Sequence, residues 1–240
     1  MKKLSELNIK IFADGADLND IKELDKNSFV KGFTTNPSLM KKSGVSDYKK
    51  FAKELLGIIK NKSISFEVFA DDLVGMEEQA IEISSWGKNA CVKIPISNTK
   101  GEETNILINE LSKRKIMCNI TAIFTKKQII NLLSKIEDKN SKLILSVFAG
   151  RIADTGVDPK IIMKDIVKIT KDFSNIEILW ASPREVYNLF EAEECGCHII
   201  TMQPDLIKKL SLINKDLDQY SIETVKTFYN DAVKAGYKIN

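Results

Sequence analysis

Ala90-Cys91-Val92-Lys93-Ile94-Pro95 is a short apolar run interrupted by one ammonium group, and it reads as a buried β-strand carrying a lysine. Similar runs lie on both sides, at the roughly 20- to 30-residue spacing of βα units. They are Ile9 to Ala13, Gly32 to Thr34, Ile64 to Phe69, Ile116 to Ile120, Leu143 to Val147, Ile176 to Ala181 and His198 to Met202. With Ala90 to Ile94 they make eight strands. Between them run helical patterns with readable starts. Val45, Tyr48, Phe51, Ala52, Leu55, Leu56 and Ile59 form one apolar stripe. Thr125 to Gln128 has capping-box spacing. Asp158-Pro159 supplies an N-cap followed by an N1 proline, and Ser182-Pro183-Arg184-Glu185 reads as a second such start, with Gly196 closing its helix.

Eight strands alternating with helices predict an α/β fold, a single (β/α)8 TIM barrel over residues 1–240, close to the usual size of about 250 residues. A doubly wound open sheet is the alternative, and no Gly-x-Gly-x-x-Gly follows the first strand. Residues 221–237, with Val225, Phe228, Tyr229, Ala232 and Val233, read as a C-terminal amphipathic helix that covers the barrel or docks on a neighbour.

Composition narrows the function. Of 240 residues, 43% are hydrophobic, enough for a sizeable core. No stretch reaches the roughly 18 uncharged apolar residues of a membrane span, and Met1-Lys2-Lys3 leads into mixed polar sequence. No membrane association and a cytoplasmic location are therefore expected. The net charge of +3 is spread over many lysines, which does not indicate a nucleic-acid partner. Four cysteines fit a reducing compartment. Cys195-Gly196-Cys197 beside the sole histidine, His198, lacks the further ligands of a closed zinc site, so no metal is expected. A Ser-His-Asp arrangement is equally unsupported.

A buried ammonium costs several kcal/mol unless paired, and burial lowers its pKa toward a nucleophilic neutral amine. Lys93 thus points to Schiff-base chemistry on a carbonyl substrate; the plainer alternative is a side chain whose head reaches solvent. In a barrel the chemistry belongs at the carboxyl ends of the strands. Asp14, Thr34, Asn36, Glu67, Lys93, Asn119, Thr121, Ser146, Arg151, Ser182 and Arg184 all fall at or just beyond those ends. Of only three arginines, Arg114 lies in a basic surface run, while Arg151 and Arg184 are placed to clamp phosphate. A helix starting at Ser182 would add its N-terminal dipole. Pairing of Arg184 with Glu185 or Glu191 is the structural alternative.

Gly32-Phe33-Thr34-Thr35-Asn36-Pro37-Ser38, Val92-Lys93-Ile94-Pro95, Asn119-Ile120-Thr121 and Val147-Phe148-Ala149-Gly150-Arg151-Ile152 together resemble transaldolase, in the compact branch that also holds fructose-6-phosphate aldolases. The resemblance runs in order from about Ile11 to Leu210. It implies a metal-free, cofactor-free class I aldol mechanism that moves a dihydroxyacetone unit between sugar phosphates, and a homo-oligomer. Lys93 becomes the Schiff-base lysine and Asp14 the acid/base at the C4 hydroxyl. Glu67 and Thr121 would hold a proton-shuttling water. Thr34, Asn36, Asn119, Ser146 and Phe148 would bind the three-carbon unit, and Arg151, Ser182 and Arg184 the phosphate.

Plainer readings stand beside these: Asp14 as a helix N-cap, Glu67 in a direct salt bridge to Lys93, Asn36-Pro37 as a turn. Phe33, Gly15 and Pro183 depart from the usual pattern. A glutamine and a tyrosine are usual in the aldolase branch where Glu67 and Phe148 stand here, which favours transfer over release of dihydroxyacetone. The remaining alternatives are a fructose-6-phosphate aldolase and a non-catalytic sugar-phosphate-binding barrel.

Overall fold

The computed structural model describes residues 3–139 and 141–239, so the Met1-Lys2 start lies outside the described residues. Its elements alternate as the apolar runs predict. They are β1 (Lys10–Asp14), α1 (Leu18–Asp25), β2 (Val30–Thr34), α2 (Pro37–Lys42), α3 (Tyr48–Ile58), β3 (Ser63–Glu67), α4 (Leu73–Ser84), β4 (Ala90–Pro95) and α5 (Asn105–Lys113). Then come β5 (Cys118–Ile123), α6 (Lys126–Leu133), β6 (Leu143–Val147), α7 (Ala149–Ala153), α8 (Pro159–Thr170), β7 (Ile176–Trp180), α9 (Tyr187–Glu194), β8 (Ile199–Met202), α10 (Pro204–Lys208) and α11 (Leu217–Ala235). Every strand pairs in parallel with its sequence neighbour, and β8 pairs with β1, so the sheet closes. The chain is a (β/α)8 TIM barrel.

Alternation along the strands separates two environments inside this barrel. Phe12, Cys91, Ile144, Leu179 and Ile199 pack together in the interior, where Gly32 makes room: a Cβ there would lie 2.5 Å from the Phe12 ring. Two residues further along the same strands the inward positions turn polar, giving Asp14 after Phe12, Lys93 after Cys91, Ser146 after Ile144 and Thr201 after Ile199. An apolar plug therefore underlies a polar rim. Val92 and Ile94, on the opposite face of β4, are fully buried toward the helices.

Several helix starts form as read. Thr125 and Gln128 make the capping box of α6, and Asp158 caps α8 with Pro159 at its first position. Gly196, at φ +79°, follows the end of α9. One start does not form. No helix begins at Ser182; residues 182–185 are an irregular loop, Ser182 is left-handed at φ +60°, and α9 opens only at Tyr187. β3 stops at Glu67, leaving Phe69 about half exposed, and β5 is shifted to Cys118–Ile123.

The backbone divides into two compact units, Asn8–Lys208 forming the barrel, with the residues before Asn8 and those from Lys209 onward forming the other. In the second unit α11 starts earlier than read, under the Asp216 cap, and ends at Gly236 with φ +68°. None of its residues is buried, and Leu217, Val225, Phe228, Tyr229 and Val233 are all more than 60% exposed.

Candidate active site

Above the apolar plug lies a cavity of about 470 Å³, walled by residues from all eight strand ends or the loops after them. Lys93 enters from β4 and is only 8% exposed. Its Nζ donates to the Thr35 carbonyl at 3.0 Å and pairs with Glu67 Oε2 at 3.2 Å. The pairing follows from register, since Glu67 on β3 lies directly beside Lys93 on β4. The plainer reading of Glu67, a direct salt bridge to Lys93, is what forms. Solvent is not what satisfies the ammonium, so the snorkelling alternative fails.

Asp14 ends β1 facing the same cavity. Its Oδ1 accepts from Thr34 Oγ1 at 2.8 Å, and its Oδ2 takes a longer contact of 3.4 Å from Asn36 Nδ2. Asp17, not Asp14, caps α1. Burial pushes the Asp14 carboxyl above the usual carboxylate range, opposed chiefly by the Lys93 charge and then by the bonds from Thr34 and Asn36. Asn36 does double duty, because its Oδ1 also caps α2 by accepting from Leu39 N at 3.0 Å.

Thr121 and Ser146 reach the wall from β5 and β6. The Thr121 hydroxyl is buried without a hydrogen-bond partner among the described residues and is free to engage a ligand or water. Asn119 is placed differently from its expected role. It is fully buried and absent from the wall, its Nδ2 donating to Ser65 Oγ at 3.0 Å and its Oδ1 accepting from Ser146 Oγ at 2.6 Å. It fixes Ser146 from below.

At the outer wall Arg151 projects from α7 with its guanidinium 4.9 Å from the centroid of the Phe148 ring, a cation–π contact. Arg184 comes from the loop after β7 and is tied to Asp154, through Nε to Oδ1 at 3.1 Å and through Nη2 to Oδ2, rather than to Glu185 or Glu191. Because no helix starts at Ser182, the expected dipole is missing. The backbone N–H groups of Arg184 and Glu185 are also occupied, donating to Asn188 Oδ1 at 2.7 and 3.1 Å. Arginine side chains, not a helix terminus, make this wall positive. Ala122 and Ser182 both stand on the wall in the left-handed region, at φ 59° and 60°, where non-glycine backbone is strained.

Sequence reasoning passed over Thr201, whose Oγ1 lies 2.6 Å from Thr34 Oγ1, and over Gln203, Ser38 and Leu39 on the wall. It also passed over Tyr48, which donates to the Glu67 carbonyl at 2.9 Å. Thr201 carried a usable signal, as the only polar residue within the apolar β8. Tyr48 had none, since it belongs to the helical stripe of α3.

With this geometry in hand, relatives sharpen the reading. Residues 11–239 match the family described as transaldolase/fructose-6-phosphate aldolase. A "Probable transaldolase" of Thermoanaerobacter sp. (strain X514) is 33% identical over 232 residues, 96% of this chain and all of that one. Another so named, from Dehalococcoides mccartyi, is 34% identical over 195 residues, 81% of this chain and 86% of its own. Among solved structures, the tryptophan synthase α subunit of Campylobacter jejuni superposes with a TM-score of 0.56 at 18% identity, covering 89% of this chain and 92% of that one. An oxaloacetate acetylhydrolase does so with a TM-score of 0.58 at 10% identity, covering 88% and 81%. These two share the barrel alone. The chain belongs to the transaldolase/fructose-6-phosphate aldolase family.

Proposed function

We propose that this protein is a transaldolase, a transferase that carries a dihydroxyacetone unit from sedoheptulose 7-phosphate to glyceraldehyde 3-phosphate, giving erythrose 4-phosphate and fructose 6-phosphate. The observation that carries this reading is the Lys93 amine, buried on the cavity floor against Glu67 and beside Asp14. Glu67 accepts a proton from the ammonium, and the freed amine attacks the ketose C2. Loss of water, with Glu67 and the Thr121 hydroxyl handling its protons, leaves a protonated imine. Asp14 takes the C4 hydroxyl proton, the C3–C4 bond breaks, C4 leaves as the aldehyde of erythrose 4-phosphate, and the bonding electrons settle in an enamine. The acceptor aldehyde then adds at C3, Asp14 returns its proton to the new oxygen, and hydrolysis of the imine frees Lys93. Thr34, Asn36 and Ser146 hold the hydroxyls of the three-carbon unit; Arg151 and Arg184 receive the phosphate.

Transfer is favoured over release by Phe148. A phenylalanine on the wall brings no phenolic hydroxyl to protonate the enamine, so the intermediate waits for an aldehyde. Exposed apolar side chains along α11 support a homo-oligomer. Four buried, unpaired cysteines suit the cytoplasm, where the reaction would serve the pentose phosphate pathway. Among the described residues no helix is long and apolar enough to cross a membrane. We take the barrel and α11 as one domain.

Borohydride reduction in the presence of fructose 6-phosphate should fix a sugar-derived adduct on the peptide holding Lys93, and Lys93→Ala should lose both adduct and turnover while keeping its fold. A folded Lys93→Ala variant that still turns over ends the Schiff-base reading. Coupled assays that find dihydroxyacetone release faster than transfer would make the protein an aldolase instead.

A further inference from the structure

Asp154 lies outside the cavity wall, yet it holds one of the wall's two arginines by two bonds. The contact uses Nε and one hydrogen of Nη2, the side edge of the guanidinium. Both Nη1 hydrogens and the second on Nη2 remain, a fork that matches two oxygens of a phosphate. Left alone, a long half-exposed arginine samples many rotamers, and ordering it opposes binding. Arg184 is 50% exposed and Asp154 51%, so the pair adds little to stability. Its effect lies in orientation.

The backbone supports this. Asp154 ends the short α7, the helix that also carries Arg151, and its N–H donates to the Gly150 carbonyl at 3.0 Å. One turn earlier Gly150 is pressed onto the loop after β7: its N–H donates to the Ala181 carbonyl at 3.2 Å, and a Cβ would fall 1.5 Å from the Ser182 oxygen. The helix and the loop are thus fastened twice, at Gly150 by backbone and at Asp154 by a charged pair. Arg151 and Arg184 are thus carried on two backbone pieces joined to each other.

We infer that Asp154 is the positioning residue of the phosphate site, holding Arg184 side-on from behind so that its free edge faces the phosphate of the substrate. This rests on the phosphate reading above and adds a residue to it. With inorganic phosphate as the calorimetric ligand, Asp154→Ala should weaken binding about fivefold, the scale of coupling between contacting residues. KM for fructose 6-phosphate should rise in step. Borohydride trapping of free dihydroxyacetone on Lys93, which involves no phosphate, should stay as in the parent. Asp154→Asn, retaining one acceptor oxygen, should fall between the two. In an Arg184→Ala background the Asp154 change should have no further effect. Equal or tighter phosphate binding by Asp154→Ala would overturn the inference, since the carboxylate would then be idle or competing with the ligand. The two readings fail separately: if Arg184→Ala itself leaves phosphate binding intact, the phosphate assignment falls. If only Arg184→Ala weakens it, Asp154 alone is wrongly placed.

Discussion

Asp14 occupies a site that costs its charge solvation. Its folded pKa lies above the usual carboxylate value because burial outweighs the help from Lys93, Thr34 and Asn36. The folded protein therefore holds that proton more tightly than the unfolded chain. The ionised carboxylate opposes folding at pH values above its folded pKa, and the penalty fades to nothing below the ordinary carboxylate pKa. Asp14→Asn should consequently melt no lower than the parent at pH 7.5, with any gain disappearing in acid, while turnover drops by about 100-fold or more for want of the acid/base. A clear fall in melting temperature at pH 7.5 would contradict this account. In the proposed mechanism cleavage requires the ionised form, so the acidic limb of kcat/KM should have its midpoint above the usual carboxylate range. The identities of Lys93, Asp14 and Glu67 were legible in the sequence as polar residues at strand ends. Depth and contact were not: alternation says that Asn119 points inward, but not that it lies a layer below the cavity, fully engaged by Ser65 and Ser146. The direct Lys93–Glu67 contact depends on barrel register, which a single strand does not encode.

At the level of elements, the β6–α7 connection and the loop after β7 work as one piece. Ser182-Pro183 has the local chemistry of a helix start, and that signal misled because the turn is decided elsewhere. Asn188 captures the N–H groups of Arg184 and Glu185, and Gly150 presses against the Ser182 backbone. Neither partner is visible from the dipeptide. Capping signals that complete themselves within four residues, such as Thr125 with Gln128, read correctly. Gly150→Ala is expected to be costly because the atom in its way is a carbonyl oxygen, not the tip of a flexible side chain. Urea unfolding should show a loss of about 1–3 kcal/mol, with a raised KM for fructose 6-phosphate in whatever remains folded. A variant matching the parent in both would mean that this close approach is not needed.

For the whole molecule, the eight-fold count of apolar runs carried the architecture, because only closure satisfies both edges of such a sheet. The tail was legible as a helix but not in its full length or exposure. Its bare apolar residues argue for assembly, and light scattering should find the intact protein above its monomer mass. Phe228, 68% exposed on α11, is the place to interfere: Phe228→Glu should shift the mass toward the monomer with helical content unchanged. An unaltered mass would remove that helix from the assembly. Closure has one more effect. Thr34 touches Thr201, and β1 is bonded along its length to β8, so the surroundings of Asp14 are completed by the last strand to be made. A nascent chain still short of residue 202 on the ribosome already contains Lys93 and Asp14 but no closed wall around them. Emergence of β8 is therefore the step that turns an open row of polar strand ends into an enclosed cavity.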